Sequence, residues 1–359
     1  MDIDIVRPRD LPPEEIAHWA RLQDSHPDLE TPFLSPYWPR AVEQAQTSEA
    51  SNVRIAVLHE GGKVRGFMPA KIQGGVAMPA GAPMCDYQGL IVEPGVDVTS
   101  RQLVDAMGVG RLDFSHMPLT QSLFASNIRG TSASWIVRLP FGYDVYAADK
   151  KAESGILKDI DKRRRKAQKD MGAVTFTAFS RSKTDFDQML AWKREQYRRT
   201  GQTDIFEAPW TGRLLRDLFL SRDPDFGGVL FTLHIGDKLA AAQFHLRGQR
   251  VLHAWIIAHD ETFDRVSPGM MLFQDTMRWM DDTPFTSIDF GPGDYRFKKQ
   301  LANAVCTVGH GFVGRPGASS LVRSAAYGIR AAAERLPLGP VSALPAKAMR
   351  RMDLIRGLR

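Results

Sequence analysis

Apolar residues recur at helical spacing over "EEIAHWARLQDSH" (14–26) and again over "SPYWPRAVEQAQ" (35–46), where Ser35 stands at a capping position and Pro36 at a first helical position. The spacing then changes to that of strands. In "VRIAVLHEGGKVRGFMPAKI" (53–72) two apolar runs flank Glu60-Gly61-Gly62 and predict a hairpin. Shorter strands are expected in "YQGLIVEPG", "RLDFSHMP" and "SWIVRLP", so the first 145 residues or so form an α+β block with a mainly antiparallel sheet. From Lys150 to Met171 the chain is polar, highly charged and free of proline, which predicts a solvent-facing helix bridging two domains. The alternation then resumes. A strand is expected at "AVTFTAFS", a helix at "SKTDFDQMLAWKREQYRRTG" closed by Gly201, a second helix at "TGRLLRDLFLSRD", and three antiparallel strands across 227–260 with turns at Gly236-Asp237 and Gly248-Gln249. A helix over Pro268–Asp281, a strand at "FTSIDFG" and a helix from Asp294 complete the second half. Both halves place two helices before a hairpin, the mark of a duplicated α+β domain.

Length agrees with two domains, since 359 residues divide into about two at roughly 150 residues each. Apolar residues at 43% and charged residues at 25% exclude a disordered chain and allow large cores. A formal charge of +6 would attract a polyanion, but it is concentrated in "KDIDKRRRKAQKD" and the tail "AKAMRRMDLIRGLR", so it does not choose among partners. Cys85 and Cys306 are too few for a disulfide framework or a thiolate metal site, and reduced thiols are expected. The N-terminus has no secretory pattern and no apolar run approaches a membrane span. A cytoplasmic protein is expected, with peripheral membrane contact left open.

Two segments carry candidate chemistry. In "FDRVSPGMMLFQD" a strand feeds a helix through Ser267-Pro268-Gly269. The first turn of that helix has unpaired N–H groups and the positive end of the helix dipole, and Gly269 lets a ligand approach the backbone, a combination suited to a pyrophosphate. The same residues also fit an ordinary start in which Ser267 caps and Pro268 opens the helix. The glycines match neither a dinucleotide fingerprint nor a Walker A loop. In "SIDFGPGDYRFKKQLAN" a strand ends in Gly291-Pro292-Gly293 and launches a helix beside Asp294, Tyr295, Lys298 and Lys299.

Together with "WKREQYRRTGQTDIF" and "AAQFHL", the order and spacing of these segments resemble the acetyltransferase domain of the CelD/BcsL type, in the GNAT superfamily of acyl-CoA-dependent N-acyltransferases, some linked to bacterial exopolysaccharide biosynthesis. The resemblance is best over about 150–315, and the first block resembles the degenerate partner domain of two-GNAT proteins, Fem-type aminoacyltransferases among them. It implies two tandem GNAT-like domains: an N-terminal one at 1–148, the charged bridge at 149–171, a catalytic domain at 172–318, and basic C-terminal helices at 319–359. Acetyl-CoA is the implied donor, held at "RVSPGM" by Arg265, Val266, Ser267, Gly269 and Met270, with Lys298 and Lys299 within reach of phosphate. Ser267 and Pro268 depart from the family's glycine-rich loop, and the proline removes one amide donor.

Amide formation from a thioester needs a neutral amine, a held carbonyl, a route for the amine proton and a donor to the thiolate. Tyr295 is the expected thiolate donor, and Asp289, Asp294 and His253 are candidates to orient the amine or take its proton. Lys193, Gln196, Tyr197 and Thr200 make one helical stripe that, with Asp204, suits a polar acceptor; Gln243, Asp86 and Tyr87 are further acceptor candidates, the last two in an exposed turn. Each also has a bland role as cap, core residue or solvated face. No metal is expected. The acceptor class implied by the resemblance is the amine of an amino sugar in a glycan or lipid-linked precursor. The alternatives are aminoacyl transfer from charged tRNA, as in Fem-type enzymes, and a non-catalytic scaffold that binds a polyanion or partner. Nucleic acid is the less expected partner, because acidic residues interrupt "DKRRRKAQK".

Overall fold

The computed structural model describes residues 1–47, 49–336 and 339–358. In chain order its strands are β1 (Asp2–Val6), β2 (Val53–Glu60), β3 (Lys63–Gln73), β4 (Val76–Pro79), β5 (Ile91–Val92), β6 (Arg111–Pro118), β7 (Ile128–Arg138), β8 (Val174–Thr177), β9 (Gly227–Ile235), β10 (Lys238–Arg247), β11 (Val251–His259), β12 (Ser287–Pro292) and β13 (Ala304–Gly314). Its α-helices are α1 (Pro13–Asp24), α2 (Tyr37–Ala45), α3 (Ser100–Ala106), α4 (Tyr143–Glu153), α5 (Ile156–Asp170), α6 (Lys183–Thr200), α7 (Pro209–Leu220), α8 (Pro268–Trp279), α9 (Arg296–Leu301), α10 (Ala318–Arg335) and α11 (Leu344–Leu358). Two compact units result. Unit 1 comprises Met1–Ser132, Glu207–Leu214 and Thr307–Arg359, and unit 2 comprises Ala133–Phe206 and Leu215–Cys306.

In unit 1, β1, β2, β3 and β4 pair antiparallel in sequence, β5 adds to β3, and β4 then pairs parallel with β6, which is flanked by antiparallel β13. In unit 2, β8, β9, β10 and β11 pair antiparallel, β11 pairs parallel with β12, and β12 is flanked by antiparallel β7. The same order of strand, two helices, three antiparallel strands, crossover helix and parallel strand thus occurs twice, as a tandem of mixed, mainly antiparallel sheets flanked by helices. The core of unit 2 lies where Phe231, Leu233 and Phe290 of the sheet meet Leu157, Ile160, Phe273 and Met277 of α5 and α8.

Several expectations need correction. The segment taken for a solvent-facing bridge is α5, packed into unit 2 through buried Leu157, Ile160 and Ala167. Its stripe is broken by Arg164, which stands between Ile160 and Ala167 on the same face and reaches the Asp275 carboxylate and the Met271 carbonyl of α8. The basic C-terminal helices belong to unit 1, where Lys71 Nζ donates to Gly357 O at 2.9 Å and Trp210 Nε1 to Leu358 O at 3.1 Å. "YQGLIVEPG" contributes only the two residues of β5, while β1, β4, β13, α3 and α4 were not anticipated. No helix among the described residues is long and apolar enough to cross a membrane, and both cysteines are free thiols.

Candidate active site

The parallel pairing of β11 with β12 is short. It covers Val251–Ser287, Leu252–Ile288 and His253–Asp289, after which β11 runs on to His259 and β12 to Pro292 without further pairing to each other. Past that vertex the two strands leave their shared ladder and form a fork. A register shift against β10, between Phe244–Ile256 and His245–Ala254, makes a bulge at Trp255 just past the vertex. The faces of the sheet differ. Phe244 packs on Phe186 of α6 and Phe219 of α7, while Gln243 and His245 face α8, where His245 lies 6.3 Å from the Phe273 ring.

On the α8 face the loop after β11 ends at Ser267, whose φ of 54° and ψ of 62° put it in the left-handed region usually left to glycine. Ser267 therefore holds a conformation that glycine adopts more readily, and it does not act as the cap that the ordinary reading supposes: its side chain makes no capping bond and instead accepts from Arg163 Nη1. Pro268 has no N–H, and the amides of Met270 and Met271 bond to Ser267 O, so Gly269 N–H is the first-turn donor turned out of the helix. A Cβ built on Gly269 meets nothing within 4 Å. Open space above an uncapped helix start fits an anionic donor group. Fully buried Gln243 donates to Gly269 O at 3.1 Å and its Oε1 meets His245 Nε2 at 3.2 Å, so it positions the loop rather than an acceptor. Burial holds the His245 pKa down at about 3, with His253 adding to the effect, and the ring is neutral at ordinary pH.

At the vertex Asp289 is buried. It accepts from Gly291 N–H at 2.7 Å and from Ser134 Oγ at 3.4 Å, and lies 3.7 Å from His253 Nδ1. His253 is fully enclosed. The pair thus fastens the vertex to the glycine turn, where φ values of 70° at Gly291 and 118° at Gly293 call for glycine. Asp289→Ala leaves the Gly291 amide buried without its acceptor and should cost about 3 kcal/mol in urea denaturation, whereas Asp289→Asn, which keeps an acceptor oxygen, should cost about 1 kcal/mol. Equal losses would show that the hydrogen bond to Gly291 is not what matters.

Lys298 is buried, not poised on the surface, and its Nζ donates to Gly291 O at 3.2 Å and Pro292 O at 2.7 Å. Lys193 reaches the same end of the sheet from α6: its Nζ sits 5.5 Å from the Tyr197 ring, and burial together with the charge of Lys298 lowers its pKa to about 8. Tyr295 is half-exposed, caps α9 by backbone position alone, and has Lys298 Nζ 5.4 Å from its ring. The lysines and Tyr295 therefore cluster beside the fork.

Other candidates lie elsewhere or have different work. Asp294 is exposed, does not cap α9, and pairs with Lys299, which also stands 5.8 Å from the Trp135 ring. Asp204 accepts from Arg194 Nε at 2.8 Å and from Phe206 N–H at 2.9 Å, and Thr200 Oγ1 donates to Gln196 O at 2.8 Å, so both close the end of α6 rather than present free polar groups; Gln196 is exposed. Val266 is core, Arg265 is exposed and Met270 is half-buried. Asp86 and Tyr87 belong to unit 1, where Tyr87 is buried instead of standing in an exposed turn. Sequence reasoning missed Arg163, whose neighbour Arg164 interrupts the apolar stripe that would have shown α5 to be packed and not solvated. Among the described residues no cluster of His, Cys, Asp or Glu is able to hold a metal ion.

Residues 154–299 match the family model described as Acetyltransferase (GNAT) domain, a span that begins just before α5 and ends in α9. No curated protein sequence matches the chain. Among solved structures, FemX aligns over 87% of this chain and 96% of its own at 10% identity and a TM-score of 0.55. The tandem GNAT protein from the clavulanic acid biosynthesis pathway aligns over 88% and 99% at 11% identity and a TM-score of 0.51. The C-terminal domain (DUF2156) of a putative lysylphosphatidylglycerol synthetase from Agrobacterium fabrum aligns over 87% and 96% at 11% identity and a TM-score of 0.51. At these identities the likeness is one of fold. The chain thus folds as two tandem GNAT-like domains and contains, at residues 154–299, a GNAT-family acetyltransferase domain, which implies a donor of the acyl-CoA type.

Proposed function

We propose that the protein transfers an acetyl group from acetyl-CoA to the amine of an amino sugar in a glycan or polysaccharide precursor. The observation that carries the transfer chemistry is the juxtaposition in unit 2 of a forked parallel pair, an uncapped α8 with open space at Gly269, and a lysine tuned to about 8. Gly269 N–H, the Ser267 hydroxyl and the Arg163 and Arg265 guanidiniums are the groups that would hold the donor pyrophosphate. The stretch of β11 beyond its ladder with β12 is where backbone N–H groups would meet the thioester carbonyl. The acceptor enters on the α6 face, where Lys193 and Tyr197 lie. Its neutral nitrogen attacks the carbonyl carbon, forming C–N; Lys193 takes the amine proton; C–S then breaks, and the thiolate leaves as the thiol with a proton from the Tyr295 hydroxyl. An alkyl amine has a pKa of about 10, and the cationic Lys298 nearby favours its neutral form.

The sugar class rests on the likeness of "WKREQYRRTGQTDIF", "AAQFHL", "FDRVSPGMMLFQD" and "DFGPGDYRFKKQLA" to the CelD/BcsL-type domains. The test is turnover of acetyl-CoA against a panel of amino sugars, read by mass spectrometry. Acetylated product supports the reading; activity that demands charged tRNA and is lost on RNase treatment would replace it with Fem-type aminoacyl transfer. The donor side has its own check. Because nothing lies within 4 Å of a Gly269 Cβ, Gly269→Val should fold as well as the parent yet raise KM for acetyl-CoA about tenfold, the equivalent of about 1.4 kcal/mol. An unchanged KM would move the pyrophosphate away from α8.

A further inference from the structure

Unit 1 contains a fork of its own. Its parallel pair, β4 with β6, is held only at Val76–Arg111 and Ala77–Leu112, and the strands then separate around a pocket of about 450 Å³. The volume is that of a small-molecule site. The pocket differs from the fork of unit 2 in what surrounds it. The crossover helix α3 is closed by a complete capping box, in which Thr99 Oγ1 accepts from Gln102 N–H and Gln102 Oε1 accepts from Thr99 N–H, so its first turn is less available to a pyrophosphate than that of α8. The far side is instead roofed by α10 and α11, which supply Arg330, Arg350 and Arg356 beside Tyr327, Met349 and Leu354.

Most charges at the pocket are satisfied: besides the pairs that follow, Arg330 Nε donates to Glu334 at 2.8 Å, and the lining carboxylate Asp86 has a partner of its own. Arg111 binds Asp113, and Arg323 binds Asp353 through two bonds of 2.9 Å, so these four cancel and fix the roof to the sheet. Arg350 makes no hydrogen bond or ion pair among the described residues, and the nearest carboxylate to Arg356 is Asp113 at 3.7 Å. Arg330 is turned toward the pocket wall by His310, whose Nε2 accepts from Nη1 at 2.7 Å; burial, with the Arg330 charge, holds that ring near a pKa of 4, neutral and able to accept. The Cys85 thiol is fully buried and pushed up, which suits a binding wall and not a nucleophile. His116 in the opposite wall has a φ of 53°, a strained position for a non-glycine residue. Guanidiniums from two helices above an apolar floor of Met78, Pro79 and Phe114 are the chemistry of phosphate recognition with a partly apolar body.

We infer that the fork of unit 1 is a second ligand site, distinct from the acyl-donor fork, that binds a small organic phosphate through Arg350 and Arg356. The test is calorimetric titration of the full-length protein with phenyl phosphate, glucose 1-phosphate and inorganic phosphate. At least one of the two organic phosphates should bind tenfold or more tightly than inorganic phosphate, and which one does so separates an aromatic body from a sugar. Arg350→Gln combined with Arg356→Gln should weaken that binding at least tenfold without lowering the melting temperature, since neither side chain holds a short contact. Gly269→Val should leave it unchanged, whatever its effect on acetyl-CoA. Binding no tighter than that of inorganic phosphate, equal binding by the double variant, or displacement of the probe by acetyl-CoA would each overturn the inference.

Discussion

Lys193→Met is expected to lower kcat/KM by about 100-fold or more, the usual contribution of a positioned general base, and to erase a limb of the pH profile near 8. The physical grounds are burial on α6 and the charge of Lys298, both of which disfavour the ammonium form of Lys193 and bring its pKa down to about 8. A base must be neutral to accept a proton, so wild-type activity should rise with pH through that value. Any limb that survives in Lys193→Met then belongs to the acceptor amine. Lys193→Arg separates this role from a purely electrostatic one. Arginine stays charged, so it should be as poor as methionine if Lys193 takes the proton, and nearly as good as lysine if the site needs only a cation. Lys298→Met removes the like charge and should move the limb to higher pH. Activity that falls as pH rises through 8, together with an active Lys193→Arg enzyme, would reject Lys193 as the base.

Much of the repeated architecture could be read along the chain because its signals are local. The hairpin at Glu60-Gly61-Gly62, the three strands across 227–260 and the Gly201 helix stop depend on turn residues and on apolar spacing within one or two elements. How the sixth strand of each sheet pairs was not legible: β13 was not expected at all, and β7 was expected at "SWIVRLP" without its partner. β13 pairs with β6 across nearly 200 residues of chain, and β7 pairs with β12 across about 150, so no local pattern announces either partner. The site shows the same division. "RVSPGM" was identifiable as the loop that leads into α8, but the left-handed Ser267 was not, because serine before proline and glycine equally spells a cap. Lys298 was expected to reach toward phosphate, yet its Nζ is turned inward onto the carbonyls of Gly291 and Pro292. Lys193 was placed correctly on its stripe, whereas its altered basicity depends on Lys298, more than a hundred residues later.

The clearest test of α5 as a part of the acetyltransferase unit is the partly buried charge of Arg164, 17% exposed at its side chain. Arg164→Met should destabilise the protein by about 3–5 kcal/mol, because it strands the Asp275 carboxylate at 11% side-chain exposure, with Arg278 Nη1 at 3.6 Å as its remaining cation. Burial already raises the Asp275 pKa in spite of Arg164, and removing the guanidinium raises it further. A carboxyl whose folded pKa lies above its unfolded value disfavours the fold when ionised, so the deficit should shrink as pH is lowered from 7 toward 4. The double variant Arg164→Met with Asp275→Leu has no charge to strand and should recover most of the loss, since replacing both members of a buried pair by apolar groups is often neutral or better. Urea denaturation of the parent, both single variants and the double variant gives the coupling directly. α5 also holds Arg163 against Ser267, so the single variant should raise KM for acetyl-CoA more than it lowers kcat. A near-neutral Arg164→Met, or equal losses in the single and double variants, would mean that α5 holds its place through Leu157, Ile160 and Ala167 and not through the Arg164–Asp275 pair.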